Sequence, residues 1–258
     1  MPDDHVLVKL DFTNAFNTVR RDLILVSTAD KTPELYRFVH ASLACSPKLT
    51  YGNETIISDE GSQQGDPLSS LEYCDATQPT LLTTTSRTKL GFVDDTNLEG
   101  TISQVANDVQ HIIDSHQHTG IHLKSHKCEI IANNFELVDQ YPILKNFKRI
   151  AKEDMNLLGA PILEGKAVNK AMQAKIKNLE RSVERLSLLQ AHDALCLLKN
   201  ALAIPKLQYI LRTSPCAGNP LLSAFDDVLR RGSEIRIRYS FEIFHFHPLA
   251  PHCKPVFI

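Results

Sequence analysis

Phe92-Val93-Asp94-Asp95 ends the short apolar run 90–93 with two adjacent carboxylates. Asp is depleted in strands, so the pair predicts a strand running into a tight turn with both carboxylates at its tip. Taken alone, an ordinary Asp-rich turn explains the stretch as well. A second position shifts the balance. Asp11 follows the apolar run Val6-Leu7-Val8-Lys9-Leu10, again where a strand gives way to a loop. Carboxylates gathered at strand ends suit hard divalent cations such as Mg2+, which prefer oxygen ligands and keep part of their water. Two such ions about 3.5–4 Å apart clamp the attacking and leaving oxygens of a phosphoryl transfer.

Between these carboxylates lies Gly61-Ser62-Gln63-Gln64-Gly65-Asp66-Pro67-Leu68-Ser69-Ser70. Gly61 and Gly65 permit backbone angles that other residues resist, and Pro67 fixes the chain just before a helix. Ser69 with Glu72 three residues later reads as a capping box. A tight loop delivered onto a helix N-terminus suits contact with a phosphate or a base. It suits a plain loop-to-helix junction equally.

The order of the pieces carries a resemblance. Lys9-Leu10-Asp11-Phe12-Thr13-Asn14-Ala15-Phe16-Asn17-Thr18-Val19-Arg20-Arg21 resembles the first palm motif of reverse transcriptases. Gln63-Gln64-Gly65-Asp66-Pro67-Leu68 resembles their second motif, and Phe92-Val93-Asp94-Asp95 their double-aspartate hairpin. Gly120-Ile121-His122-Leu123-Lys124-Ser125-His126-Lys127-Cys128-Glu129 is similar to the fourth, and Asn156-Leu157-Leu158-Gly159-Ala160-Pro161-Ile162 to the fifth, the primer grip. The five stand in family order over residues 6–163, and the wording of the second resembles the non-LTR (LINE-like) branch.

The resemblance implies an RNA-directed DNA polymerase whose partners are an RNA template, a DNA primer and dNTPs. It implies Asp11, Asp94 and Asp95 as Mg2+ ligands, with Mn2+ as a substitute and the main-chain carbonyl of Phe12 as a further ligand. Phe16 matches the steric gate that rejects a ribose 2′-hydroxyl; the residue alone reads as core packing just as well. Gln64 and Gly65 are expected at the incoming nucleotide, and Leu158 and Gly159 at the primer. Lys127 matches a candidate general acid for pyrophosphate; by itself it is a solvated strand lysine. A nuclear or cytoplasmic setting follows from the family alone.

Charge is divided along the chain. The net charge is −2, but residues 1–165 carry 14 basic and 23 acidic side chains, whereas residues 166–212 carry 9 and 3. An acidic catalytic block beside a basic helical block fits a polymerase palm followed by an element that grips nucleic acid. The alternative is a solvated Lys/Arg helix face. No run is expected to supply the roughly 20 apolar residues of a membrane span, so no membrane partner is expected. Residues 1–5 lack the basic and apolar regions of a signal peptide. Six scattered cysteines without a CxxC pair suit reduced thiols. His111, His116, His118, His122, His126 and Cys128 crowd one segment, but their spacing fits no closed zinc pattern.

The expected fold class is α+β: a polymerase right-hand palm, with an antiparallel sheet and packed helices over residues 1–165. A helical thumb-like region over 166–240 and an unassigned tail over 241–258 follow. Strands are predicted near 6–11, 49–51, 55–57, 121–124 and 128–132. Helices are predicted from about Asp22, from Thr32-Pro33-Glu34 towards Cys45, after Ser69, and from Thr101 or Ser103 with Val105, Val109, Ile112 and Ile113 on one face. Val168, Met172, Ile176, Leu179, Val183 and Leu186 mark a long amphipathic helix. Residues 191–203 and 219–231 supply two more, the latter with Asn219 as cap and Pro220 at its first position.

Asp11 stands so near residue 1 that the family's fingers are expected to be missing, as is an endonuclease or zinc-knuckle segment. Glu72 and Asp75 place charges where the family's helix is apolar. An N-terminally truncated RNA-directed DNA polymerase domain, whose independent activity the missing fingers put in question, is therefore one expectation. A retroelement-derived nucleic-acid-binding protein without catalysis is a second. An unrelated metal-dependent phosphohydrolase is a third.

Overall fold

A computed structural model describes residues 1–63 and 65–243, with side-chain detail through residue 232. The chain divides into two compact units, Met1–Lys152 and the part from Glu153 onward. The expected boundary at 165 falls inside the second.

The first unit opens with β1 (His5–Leu10) and β2 (Phe12–Thr13), then α1 (Ala15–Thr18), α2 (Arg21–Lys31) and α3 (Tyr36–Leu43). A hairpin, β3 (Lys48–Tyr51) and β4 (Glu54–Ile57), precedes α4 (Ser69–Leu82), β5 (Thr88–Phe92), β6 (Asp95–Thr101) and α5 (Ile102–His116). The unit ends with β7 (His122–Leu123), β8 (Glu129–Ala132), α6 (Phe135–Val138) and β9 (Lys148–Arg149). The main sheet has the order β5-β6-β1-β8-β9. Its pairs are antiparallel apart from β8 with β9.

Strict alternation along β1 explains its place in the sheet. Val6, Val8 and Leu10 are buried against Val105, Val109 and Ile112 of α5, which leaves Lys9 on the opposite face. The apolar stripe predicted for α5 is the face that docks here, and Thr101 caps the helix in a box with Gln104. A second cluster, formed by Val19, Ile24, Val39, Leu43, Tyr73 and Ile121, holds α2 to α4.

Two local predictions need correction. Ser69 is not the cap of α4: its hydroxyl donates to the Asp66 carbonyl at 3.0 Å, and Asp66 Oδ1 accepts from the Leu68 amide at 2.8 Å. The Asx turn at Asp66 thus occupies the position read as a capping box. The carboxylate of Glu72 instead accepts from Ser62 Oγ at 2.6 Å. The helix predicted from Thr32 begins as a 3-10 turn, Pro33–Leu35, without a side-chain cap.

Pro79 lies inside α4. It has no N–H, so the Asp75 carbonyl one turn earlier loses its helical donor. Lys31 Nζ takes that place at 2.6 Å. The Asp75 side chain is less well served, since its Oδ2 is buried without a hydrogen-bond partner among the described residues.

The second unit pairs β10 (Asn156–Leu157) with β11 (Ala160–Pro161), then builds α7 (Lys166–Leu186), α8 (Ala191–Leu197), α9 (Ile204–Thr213) and α10 (Leu221–Ile243). Val168, Met172, Leu179 and Leu186 of α7 pack on Leu198, Leu207, Ile210 and Phe225. Asn219 Oδ1 accepts from the Leu221 amide at 3.0 Å, as a cap should. The helix predicted over 191–203 changes at Leu198–Leu202 to a π turn, and α9 is an additional helix. Pro205 does not end the helical region; it sits in the first turn of α9, where no amide donor is needed.

One run does meet the length and composition of a membrane span, contrary to expectation: Ala191–Thr213. It is not a continuous α-helix, being interrupted by the π turn and by Ala203. Its Ala194, Leu198, Leu207 and Ile210 are buried in the protein's own core.

Candidate catalytic carboxylate site

The register of the sheet brings the predicted carboxylates together. Leu10 of β1 lies opposite Thr96 of β6, so Asp11 and Asp95 flank the same end of this strand pair. Both are odd-numbered positions pointing away from the core face. The β5–β6 hairpin turns through Val93 and Asp94 between the paired residues Phe92 and Asp95. Val93 takes the left-handed conformation, φ 57°, uncommon for a β-branched residue. Asp94 and Asp95 are exposed at this tip, and Asp11 is half-buried.

A shallow cavity of about 160 Å³ is lined by Lys9, Asp11, Asp95, Asn97, Lys127 and Glu129, among others. Burial, then the charges of Asp94 and Asp11, holds the Asp95 carboxyl above the usual range, with Lys9 opposing. Lys9 Nζ pairs with Glu129 Oε2 at 2.9 Å, and Lys148 reaches the other carboxylate oxygen at 3.5 Å. Lys127 is exposed at the rim, in the turn where its amide donates to the Lys124 carbonyl at 2.8 Å. Asn97 Oδ1 is buried without a hydrogen-bond partner among the described residues.

The donor set is one of hard oxygens, and the repulsion among Asp11, Asp94 and Asp95, which adds to burial in raising Asp95, is what a bound cation relieves. Among the described residues, however, no three His, Cys, Asp or Glu side chains form a group able to hold a metal ion. The carboxylates are gathered at one corner without being closed into a cage. The same holds for the histidine-rich segment, where His116 is buried, His111 Nε2 meets Thr83 Oγ1 at 2.8 Å, and His118, His122 and His126 are exposed.

Phe16 lies in α1, its ring stacked on Tyr73 at 4.9 Å, and it packs in one cluster with Phe12 and Val93. The second-motif loop is tied to the same place. The Ser62 amide donates to the Phe16 carbonyl at 2.8 Å, and the Gly61 amide to the Val19 carbonyl at 3.0 Å. Gly65 is exposed with φ 99°, and Gln64 lies outside the described residues. Leu158 and Gly159 form the left-handed turn between β10 and β11 in the second unit. There the Leu158 carbonyl accepts from the Tyr209 hydroxyl.

Two supporting residues escaped the sequence reading. Cys128 is buried just before β8, and its Sγ accepts from the Asp11 amide at 3.3 Å. Asp108 of α5 accepts from the Thr85 amide at 2.8 Å and the Ser86 amide at 2.6 Å, at the entry to β5. Burial alone would raise the Asp108 carboxyl, but the Ser86 hydroxyl, which also donates to it, and then these amides and the Thr85 hydroxyl outweigh burial and hold the group below the usual range. Alternation along β1 was the one available signal for Lys9.

No family model matches the chain, and no curated protein matches it. Similar solved structures include apo telomerase from Candida tropicalis, at 12% identity over 95% of this chain and 52% of that chain, with a TM-score of 0.47. The Candida tropicalis telomerase in complex with the TWJ fragment of telomeric RNA matches at 12% identity over 94% and 40%, TM-score 0.39. The Candida albicans telomerase in complex with the TWJ fragment matches at 11% over 95% and 48%, TM-score 0.36. The chain spans about half the length of these telomerase chains or less.

Proposed function

We propose that the chain is a reverse-transcriptase domain of the non-LTR type, adding deoxynucleotides to a primer on an RNA template. The observation that carries this reading is the meeting of Asp11 and Asp95, 84 positions apart by number, at one end of the β1–β6 pair. In this reading Asp11, Asp94 and Asp95, with the Phe12 carbonyl, hold Mg2+ or Mn2+. When bound, the metal lowers the pKa of the primer hydroxyl and neutralises the triphosphate. Phe16, braced by Tyr73, is the wall against a 2′-hydroxyl. Lys127 Nζ delivers a proton to the departing pyrophosphate. Gln64 and Gly65 contact the nucleotide, and Leu158 and Gly159 the primer.

A second reading, a nucleic-acid binder without catalysis, is favoured by the absence of a closed metal cage among the described residues. Lys166, Lys170, Lys177, Arg181 and Arg185 recur mainly at four- and seven-residue steps on the exposed side of α7, a stripe suited to a phosphate backbone.

Primer extension on poly(rA) with oligo(dT), in Mg2+ and in Mn2+, separates the two. Polymerase function predicts extension that Asp94→Asn lowers at least about 100-fold. Salt-sensitive binding without extension in either metal selects the second reading. Phosphate release from small esters without template would instead select the phosphohydrolase.

A further inference from the structure

Behind the double-aspartate hairpin, between the sheet, α4 and α5, lies a cavity of about 210 Å³. Its walls include Phe12, Tyr73, Leu81, Val93, Ile112 and His116. It is on the opposite side of the sheet from the carboxylates and shares none of the roles assigned to them. The volume exceeds the roughly 150 Å³ at which an engineered apolar cavity takes up benzene.

Thr77, Gln78, Thr80 and Thr96 also line it, and one wall residue stands apart from these because its polar atoms are unpaired. His116, the last residue of α5, is 6% exposed, yet neither Nδ1 nor Nε2 has a hydrogen-bond partner among the described residues. A buried polar group left unpaired is destabilising, and a ligand that pairs with it removes that cost. Burial pulls its pKa down to about 4, with His111 adding to the effect. The ring is therefore neutral at pH 7 and offers one N–H donor and one nitrogen acceptor. The Phe12 ring stands beside it, 5.6 Å between centroids.

We propose that this cavity is a binding site for a small single-ring aromatic molecule bearing one hydroxyl group. The ring packs against Phe12, Tyr73 and Ile112, and the hydroxyl pairs with a His116 nitrogen. A hydroxyl both donates and accepts, so it matches the imidazole in either tautomer.

The test uses the full chain with 15N-labelled histidine, titrated with phenol and separately with toluene as the apolar isostere. Saturable phenol binding at least about tenfold tighter than toluene, a difference of about 1.4 kcal/mol, is expected. The His116 ring nitrogens should shift with phenol and not with toluene. His116→Phe should bring the two ligands within about twofold. Absence of saturable phenol binding, equal affinities in the unaltered chain, or a preference that survives His116→Phe overturns the proposal. Should the variant fail to fold, the phenol-to-toluene ratio and the His116 signals of the unaltered chain still decide the matter.

Discussion

The Asp11 amide donates to Cys128 Sγ at 3.3 Å, across 117 positions of sequence. The first carboxylate of the candidate site is thus held from the residue just before the neighbouring strand β8, at the point where β1 stops being a strand. The thiol is fully buried, and burial is the main reason its pKa stands at about 11.

Cys128→Ala should therefore cost about 1–2 kcal/mol, from a small cavity and a weakened hold on the Asp11 amide. Denaturant unfolding measures the loss. A thiolate is the reactive form, so iodoacetamide should spare Cys128 in the folded chain while modifying the exposed Cys45 and Cys196. Peptide mapping reads the difference.

Asp108 anchors the other carboxylates from a distance. Its oxygens accept from two successive amides, Thr85 and Ser86, just before β5 runs up to the Asp94-Asp95 tip. Asp108→Ala leaves those amides without an acceptor at a buried position, and the expected loss is about 3–5 kcal/mol. Asp108→Asn keeps one acceptor oxygen and should lose less. Hydrogen exchange at Thr85 and Ser86 should accelerate in both variants ahead of the β1 amides.

Legibility in the sequence followed the range of the interactions. The apolar run of β1, the opening of α5 at Thr101 or Ser103 and the α7 stripe were readable because each depends on neighbours within a few residues. Asp108 was not, because its partners lie 22 and 23 positions away and an Asp on an amphipathic helix reads as solvent-facing. Glu72 was misassigned for a related reason: the local capping box competed with a buried hydroxyl on Ser62, and the tertiary partner won. At α9, Pro205 sits in the first turn, where a proline is tolerated, so the helical region continues past it. The corner formed by Asp11 and Asp95 was legible as motif order, and the strand register then supplied its geometry. Gln64 and the tail from residue 244 lie outside the described residues.

Lys31 and Pro79 should be thermodynamically coupled. Lys31 Nζ serves the Asp75 carbonyl that Pro79 deprives of an amide donor. Lys31→Met is expected to cost about 1–2 kcal/mol. In a Pro79→Ala background the helix supplies its own donor, so the same change should cost less than half as much. The double-mutant cycle, read by urea unfolding, gives the coupling directly.

Gly61 has φ 72°, and a Cβ there would stand 2.4 Å from the Asn17 carbonyl carbon. The opposing atoms are backbone and cannot swing aside. Gly61→Ala should therefore displace α1, the element that carries Phe16, and destabilise the fold by about 2–4 kcal/mol. Gly65→Ala, at φ 99° but with open space around it, carries conformational strain alone and should cost less. Thermal unfolding of the two variants side by side checks the ranking.

The buried His116 sets a pH dependence whose sign follows from its depressed pKa of about 4. The unfolded chain takes up this proton near pH 6.5 and the folded chain only near 4. The unfolded state thus binds more protons in that window, and stability falls as the pH drops through it. From pH 7 to pH 5 the loss from this one group is about 2 kcal/mol. His116→Leu removes the proton acceptor along with the unpaired polar atoms, so its urea midpoint should change less between pH 7 and pH 5 than that of the unaltered chain. Parallel midpoint shifts in both proteins would mean that the imidazole is already paired or solvated in the folded state.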